Sequence, residues 1–234
     1  MLTLAFESSA TAASAALSRD GELLGQYYQH SGLTHSRTLL PMAEELLRST
    51  GTDISGLDSI AVARGPGSFT GVRIGISVAK GLAWALEIPI TGVSTLEAMA
   101  YHGVVLGEGA LICSAMDARR NEVYNAVFEI SDGLPVRLCE DRAVPLSLLA
   151  EELEAGKYGR DRQCRIVGDG ALLAEGFLAN RGVNCSALSP PLRLQSAWGV
   201  TQAALRVEAV SPDALIPVYQ RVSQAEREAQ NVGG

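Results

Sequence analysis

The residues 64–75, Arg-Gly-Pro-Gly-Ser-Phe-Thr-Gly-Val-Arg-Ile-Gly, concentrate the side chains and backbone best suited to chemistry. An apolar run precedes them and a helical pattern follows. The loop's backbone N–H groups would therefore sit at a helix N-terminus, where an anion is favoured. On that reading Gly65, Gly67, Ser68, Thr70 and Arg73 form an anion-binding set, with Arg119 as a second-half contributor. The plainer reading is a tight strand-to-helix turn whose glycines admit close backbone contact. The segment is not a P-loop, because Val72-Arg73 stands where Lys-Ser/Thr would be needed. It also lacks the G-x-S-x-G of a nucleophile elbow.

Other catalytic equipment is sparse. The three histidines are His30, His35 and His102, and the first two are not spaced to share a helical face. Cysteines at 113, 139, 164 and 185 form no C-x-x-C pair, so neither a zinc framework nor a disulfide scaffold is expected. Reduced, mostly buried thiols are expected instead.

These residues need elements to hold them. Leu2, Leu4 and Phe6 alternate with Thr3, Ala5 and Glu7, the period of a half-buried strand. Runs at 13–18 and 22–30 flank Asp20-Gly21, a hairpin signal because both turn positions require positive φ. Helices are expected from residue 36, with Pro41 as an awkward guest, at 71–87, and from residue 95. Strands are expected at 59–63 and 90–93. The second half opens the same way, with strands at 110–117 and 122–130, Asp132-Gly133, and a strand over 136–144. Helix 145–154, strand 164–167, helix 171–181 and a last helix over 197–208 complete the pattern, and the polar tail after Gln224 is expected to fray.

Three antiparallel strands followed by alternating helices and strands, done twice, predict an α/β fold of two lobes, 1–105 and 106–234. Each lobe would be a mixed sheet with helices. This is the plan of the actin-like, sugar-kinase and Hsp70 (ASKHA) superfold. ATP chemistry on that plan calls for glycine in the turn after each lobe's first strand. Here those turns read Glu7-Ser8-Ser9-Ala10-Thr11 and Asp117-Ala118-Arg119-Arg120-Asn121, with no glycine in either. An ATP-using kinase or hydrolase is therefore the lesser alternative, and a metalloprotease a weaker one.

The helix over 71–87 is unusual. Gly71, Gly75, Ala79 and Ala83 recur every four residues, and Ile74, Val78, Leu82 and Ala85 fill the neighbouring face. Mid-helix glycine costs about 1 kcal/mol relative to alanine, so close packing is expected to offset it. Burial within the lobe and a subunit interface are both open.

Composition narrows the partners. Of 234 residues, 47% are hydrophobic and 19% charged, which fits a folded chain and excludes a disordered one. The net charge is −7, with 6 basic and 9 acidic groups in residues 1–105 and 13 and 17 in the remainder. Neither half is built to grip a polyanion unaided. The basic stretch of Lys157, Arg160, Arg162 and Arg165 reads as a solvated loop. No apolar run reaches the roughly 18 residues of a membrane span.

Taken together, several motifs resemble the TsaB family, described as inactive homologues of a glycoprotease. They are His35-Ser36 through Leu40-Pro41, GPGSFTGVRIG, Asp117-Ala118-Arg119-Arg120 with Glu122-Val123-Tyr124, and Pro217-Val218-Tyr219. The resemblance implies a non-catalytic partner subunit in forming N6-threonylcarbamoyladenosine at position 37 of tRNA. It implies pairing with the catalytic subunit TsaD, joined by the small ATPase TsaE, with tRNA reached through the complex and no membrane. A homodimer is expected when the chain is alone, and a cytoplasmic location. The pairing surface would lie on the first two helices, here Leu39, Met42, Gly71, Ile74, Gly75, Val78, Ala79 and Leu82. No intrinsic cofactor is implied. Nucleotide and metal belong on the partner or at the junction, because Ser94-Thr95-Leu96-Glu97-Ala98 stands where TsaD-like chains carry an H-x-x-x-H metal motif. Glu7 departs from the family's more frequent aspartate.

Overall fold

The computed structural model describes residues 1–160 and 162–220. The tail after Gln224 lies outside the described residues. The first half forms β1 (Leu2–Glu7), β2 (Ala13–Arg19), β3 (Glu22–Gln29), α1 (His35–Ser49), β4 (Ser59–Ala63), α2 (Phe69–Leu86), β5 (Ile90–Val93) and α3 (Thr95–Ala100). The second forms β6 (Leu111–Asp117), β7 (Glu122–Ser131), β8 (Leu134–Arg137), β9 (Arg142–Pro145), α4 (Leu146–Glu154), β10 (Cys164–Val167), α5 (Ala171–Ala179), β11 (Cys185–Ala187), α6 (Pro190–Arg193) and α7 (Ala197–Ala204).

The sheets are ordered β3-β2-β1-β4-β5 and β8-β7-β6-β10-β11. In each, three antiparallel strands are followed by one that pairs with the first strand in parallel and another that extends the sheet in parallel beyond it. The two orders are the same, which is the duplicated two-lobed α/β plan expected of an actin-like fold. Both Asp-Gly hairpins take positive φ at both turn residues, Asp20 +50° and Gly21 +86°, Asp132 +52° and Gly133 +72°.

Several local expectations are corrected. The strand expected over 136–144 is two strands, β8 and β9, both paired with β7. Side chains break it: Cys139 Sγ takes the Val127 N–H at 3.2 Å, and Asp141 accepts from Arg137 and from Ser94 Oγ, each at 2.5 Å. The last helix stops at Ala204, and the helix from residue 171 stops at Ala179. α1 runs through Pro41, which lies on its exposed side, so the Arg37 carbonyl that the proline leaves unpaired faces outward.

α3 and α7 lie between the sheets. Ala5, Ala16, Ala61, Val93, Ala98, Val200 and Ala203 share one core cluster, which sets α7 on the first sheet. Gly199 of α7 meets the backbone of Ala98 in α3 so closely that no Cβ fits. The other face of α3, with Leu96 and Met99, packs against Ile112, Met116 and Phe128 of the second sheet.

Candidate functional site

Ser68 caps the start of α2, its Oγ accepting the Gly71 N–H at 3.3 Å. Its inner face is Gly71, Val72, Gly75, Ile76, Ala79 and Ala83, all buried. A Cβ at Gly71 would overlap the Ser8 carbonyl, and one at Gly75 would lie 2.5 Å from Ser8 Oγ. Ser8 Oγ in turn donates to the Gly71 carbonyl at 2.9 Å. Gly71 and Gly75 thus seat the start of the helix on the turn after β1, while Ala79 and Ala83 enter the core. That corrects the expectation that Gly71, Gly75 and Ala79 face another chain: Ser8 of their own lobe approaches the two glycines, and Ala79 is fully buried in that lobe's core. Leu39 and Met42 of α1 are likewise core residues, 0% and 8% exposed.

The outer face of α2 is different. Ile74, Val78 and Leu82 are half-buried, while Ser77, Gly81, Trp84 and Ala85 are exposed. Trp84 is 53% exposed, and Leu40 on neighbouring α1 39%. Lys80 Nζ stands 5.3 Å from the Trp84 ring centroid and donates to the Leu215 carbonyl at 3.2 Å. A Cβ at Gly81 would meet nothing within 4 Å. Gly81 therefore weakens the helix with no packing among the described residues to justify it. Sequence reasoning passed over Gly81; the available signal was a mid-helix glycine off the Gly71/Gly75 stripe.

The groups assigned to an anion are largely engaged within the chain. Gly65, at φ +114°, lies so close to the Val218 carbonyl that a Cβ would collide with it. Val218 N donates to the Arg64 carbonyl at 2.7 Å, and Ser68 N to the Ser9 carbonyl at 2.6 Å. Gly67 lies against Ser9, where a Cβ would come within 2.5 Å of its carbonyl oxygen. Arg73 stacks on Phe69, 3.7 Å to the ring centroid, and donates to Tyr219 Oη at 2.9 Å. Tyr219 itself stacks on Phe69 at 4.6 Å. Thr70 is exposed. Arg119 belongs to the β6–β7 turn of the other lobe, 86% exposed and 3.7 Å from Asp117. Its backbone and those of Arg120 and Asn121 have φ of +66°, +58° and +58°.

The turns at the seam pack closely on their own lobes, and one contact crosses between them. Met116 Cε from the second lobe lies 3.2 Å from where a Gly67 Cβ would be. Gly170 before α5 packs on Asp117, where a Cβ would come within 2.8 Å of the backbone nitrogen. Glu7 is buried here, its Oε1 accepting the Ser9 N–H at 2.6 Å. The histidines stand apart: His35 Nε2 lies 2.6 Å from the Ala10 carbonyl, and His102 sits between the Leu192 carbonyl and Ser196 Oγ, each at 2.9 Å. Among the described residues no group of three His, Cys, Asp or Glu side chains is placed to hold a metal. All four cysteines are free thiols.

Comparison with known proteins adds kinship. The profile of a family described as "TsaD: tRNA N6-adenosine threonylcarbamoyltransferase" matches residues 29–138. The tRNA threonylcarbamoyladenosine biosynthesis protein TsaB of Bacillus subtilis is 33% identical over 231 residues, covering 97% of this chain and 96% of that one. Its Escherichia coli counterpart is 40% identical over 129 residues, 55% of each chain. A tRNA N6-adenosine threonylcarbamoyltransferase of Geotalea uraniireducens is 36% identical over 113 residues, 42% of this chain and 33% of that one. Among solved structures, a Pseudomonas aeruginosa protein described as similar to peptidase YEAZ superposes with a TM-score of 0.80 at 31% identity, covering 94% of this chain and 99% of that one.

Proposed function

Because this chain belongs to the TsaB family, we propose that it serves tRNA threonylcarbamoyladenosine biosynthesis as a non-catalytic subunit, pairing with a TsaD-type chain through the outer face of α2. The observation that carries this reading is Gly81. It is an exposed mid-helix glycine with open space at its Cβ position, amid Ile74, Val78, Leu82 and Trp84. A second helix can approach there more closely than any larger residue would allow, and the apolar side chains gain burial as it does. The part-length match to a threonylcarbamoyltransferase supports a partner built on a related lobe.

A non-catalytic role is supported by the make-up of the turns at the seam. The turns at 7–11 and 117–121 carry side chains instead of glycine, and Gly67, Gly168 and Gly170 are used for packing between backbone segments. Nucleotide and metal then belong on the partner or at the junction, and a small ATPase of the TsaE type would act on the pair. Without its partner the chain pairs with itself through the same apolar face. The reading places the protein in the cytoplasm, in keeping with four free thiols and with no membrane-length apolar helix among the described residues. Sedimentation of the chain mixed with a TsaD-type partner tests the pairing: a one-to-one complex is expected, and two independently sedimenting species would reject it.

A further inference from the structure

His102, in the short turn Tyr101–Leu106, and Ser196, just before α7, meet side chain to side chain with 2.9 Å between Nε2 and Oγ. The proton positions follow from a third partner. His102 Nδ1 lies 2.9 Å from the Leu192 carbonyl, which can only accept, so Nδ1 carries the hydrogen. Burial disfavours the charged ring, which leaves Nε2 as a free lone pair, and the Ser196 hydroxyl donates to it. A serine whose proton points at a neutral imidazole, itself oriented through its other nitrogen, has the arrangement of an activated nucleophile.

Ser196 is also spared the usual work of its position. Ser68 and Ser94, before α2 and α3, spend their hydroxyls on helix N–H groups. Before α7 that task falls to the first sheet: Ser14 Oγ accepts from Ala197 N at 2.7 Å, and Gln26 Oε1 from Trp198 N at 2.8 Å. Ser196 makes no cap bond of its own.

The pair lines a cavity of about 400 Å³. Its walls include Leu23 and Tyr28 of the edge strand β3, Pro190 and Pro191 of α6, and Trp198, whose ring stacks on His102 with 5.7 Å between centroids. No acid, lysine or arginine is among the lining residues, so a neutral, apolar ligand is favoured over a carboxylate or phosphate. Gln26 supplies a further polar group. Its oxygen is fixed by the Trp198 N–H, so its NH2 remains a donor, without an acceptor among the described residues, for an oxygen that gains negative charge.

We propose that Ser196 is a nucleophile and His102 its general base, acting in this cavity on neutral esters of short apolar acids. The reaction is separate from threonylcarbamoyl transfer. The cavity lies on the α7 side of the first sheet, whereas α1 and α2 pack on the other side, so the reaction does not depend on the pairing face. Ser196 Oγ bonds to the ester carbonyl carbon as its proton passes to His102 Nε2. The bond from that carbon to the alcohol oxygen breaks, and Nε2 returns the proton to the departing alkoxide. Water then attacks the acyl-serine, giving a proton to Nε2, which passes it to Oγ as the acid leaves. The sum is ester plus water to acid plus alcohol, with no oxidant or cofactor.

The test uses the full chain and two probes, p-nitrophenyl butyrate and an alkyl fluorophosphonate. The wild type should release p-nitrophenol and carry a phosphonyl adduct that peptide mapping places on Ser196, and Ser196→Ala should lose both. His102→Gln should slow labelling of Ser196 on the order of a hundredfold, with circular dichroism checking the fold. No adduct on Ser196, ester hydrolysis that survives Ser196→Ala, or wild-type labelling of a folded His102→Gln overturns the proposal. Should His102→Gln fail to fold, native and urea-unfolded wild type decide: labelling of Ser196 confined to the native chain supports the pair, and equal labelling in both rejects it.

Discussion

Ser8 and Gly75 lock α2 to the turn after β1: a Cβ on Gly75 would lie 2.5 Å from Ser8 Oγ, and that hydroxyl is already held by the Gly71 carbonyl. Alanine for glycine inside a helix is ordinarily favourable by about 1 kcal/mol. Here the order is reversed. Gly75→Ala should destabilise the chain by roughly 1–3 kcal/mol, because Ser8 must give up its bond or the helix must shift. The denaturant midpoint measures this, and an unchanged or higher midpoint contradicts the packing.

Gly81 is the control on the same helix. Gly81→Ala should raise the stability of the isolated chain by up to about 1 kcal/mol, since nothing lies near its Cβ position. The same change should weaken association with a TsaD-type partner. Titration calorimetry beside unfolding would show the two effects with opposite signs; a variant that pairs as well as the wild type removes Gly81 from the interface.

Leu82→Arg should leave the fold intact and reduce pairing at least tenfold, because Leu82 lies half-buried on the outer face and a guanidinium there would be desolvated by the partner. Circular dichroism checks the fold and co-purification checks the pairing. Retained pairing would move the interface elsewhere.

Tyr219 fastens the segment after Leu215 to the start of α2 through its stack on Phe69 and its hydroxyl on Arg73. Tyr219→Phe should keep the stack and lose the hydrogen bond, about 1 kcal/mol, whereas Tyr219→Ala should lose both. Hydrogen exchange over residues 215–220 reads the difference. Equal protection in both variants would mean the stack contributes nothing.

His102 is buried between the Leu192 carbonyl and Ser196 Oγ, and burial lowers its tendency to take a proton. The unfolded chain binds that proton below about 6.5, so His102 favours the fold above this value and the contribution is lost as pH falls toward the folded midpoint. Nitrogen-15 NMR of the ring should give a midpoint below the ordinary histidine value. A midpoint above it contradicts the burial argument.

Much of the fold was legible because short-range physics sets it. Alternation at Leu2, Leu4 and Phe6 marks β1, and Asp20-Gly21 and Asp132-Gly133 mark turns that only positive φ can make. The duplicated strand order followed from the same signals. What escaped depends on contacts distant in sequence. The stripe at Gly71, Gly75 and Ala79 has the same period whether its own lobe or another chain covers it, so the sequence could not say which face is free. The break between β8 and β9 depends on Cys139 and Asp141 bonding outside their own strand. β11 has three residues, too few to show a period. Arg73 was legible as a cation, but its commitment to Tyr219, 146 positions away, was not.

The central claim is that this chain contributes by binding a catalytic relative and performs none of the transfer itself. Reconstitution measures it directly: formation of threonylcarbamoyladenosine on tRNA, with the threonylcarbamoyl donor supplied, by the chain alone, by a TsaD-type partner with the ATPase, and by all together. The account predicts no turnover from the chain alone and full activity only when it joins the partner, with Leu82→Arg abolishing the gain. Turnover by the purified chain without any companion would contradict it.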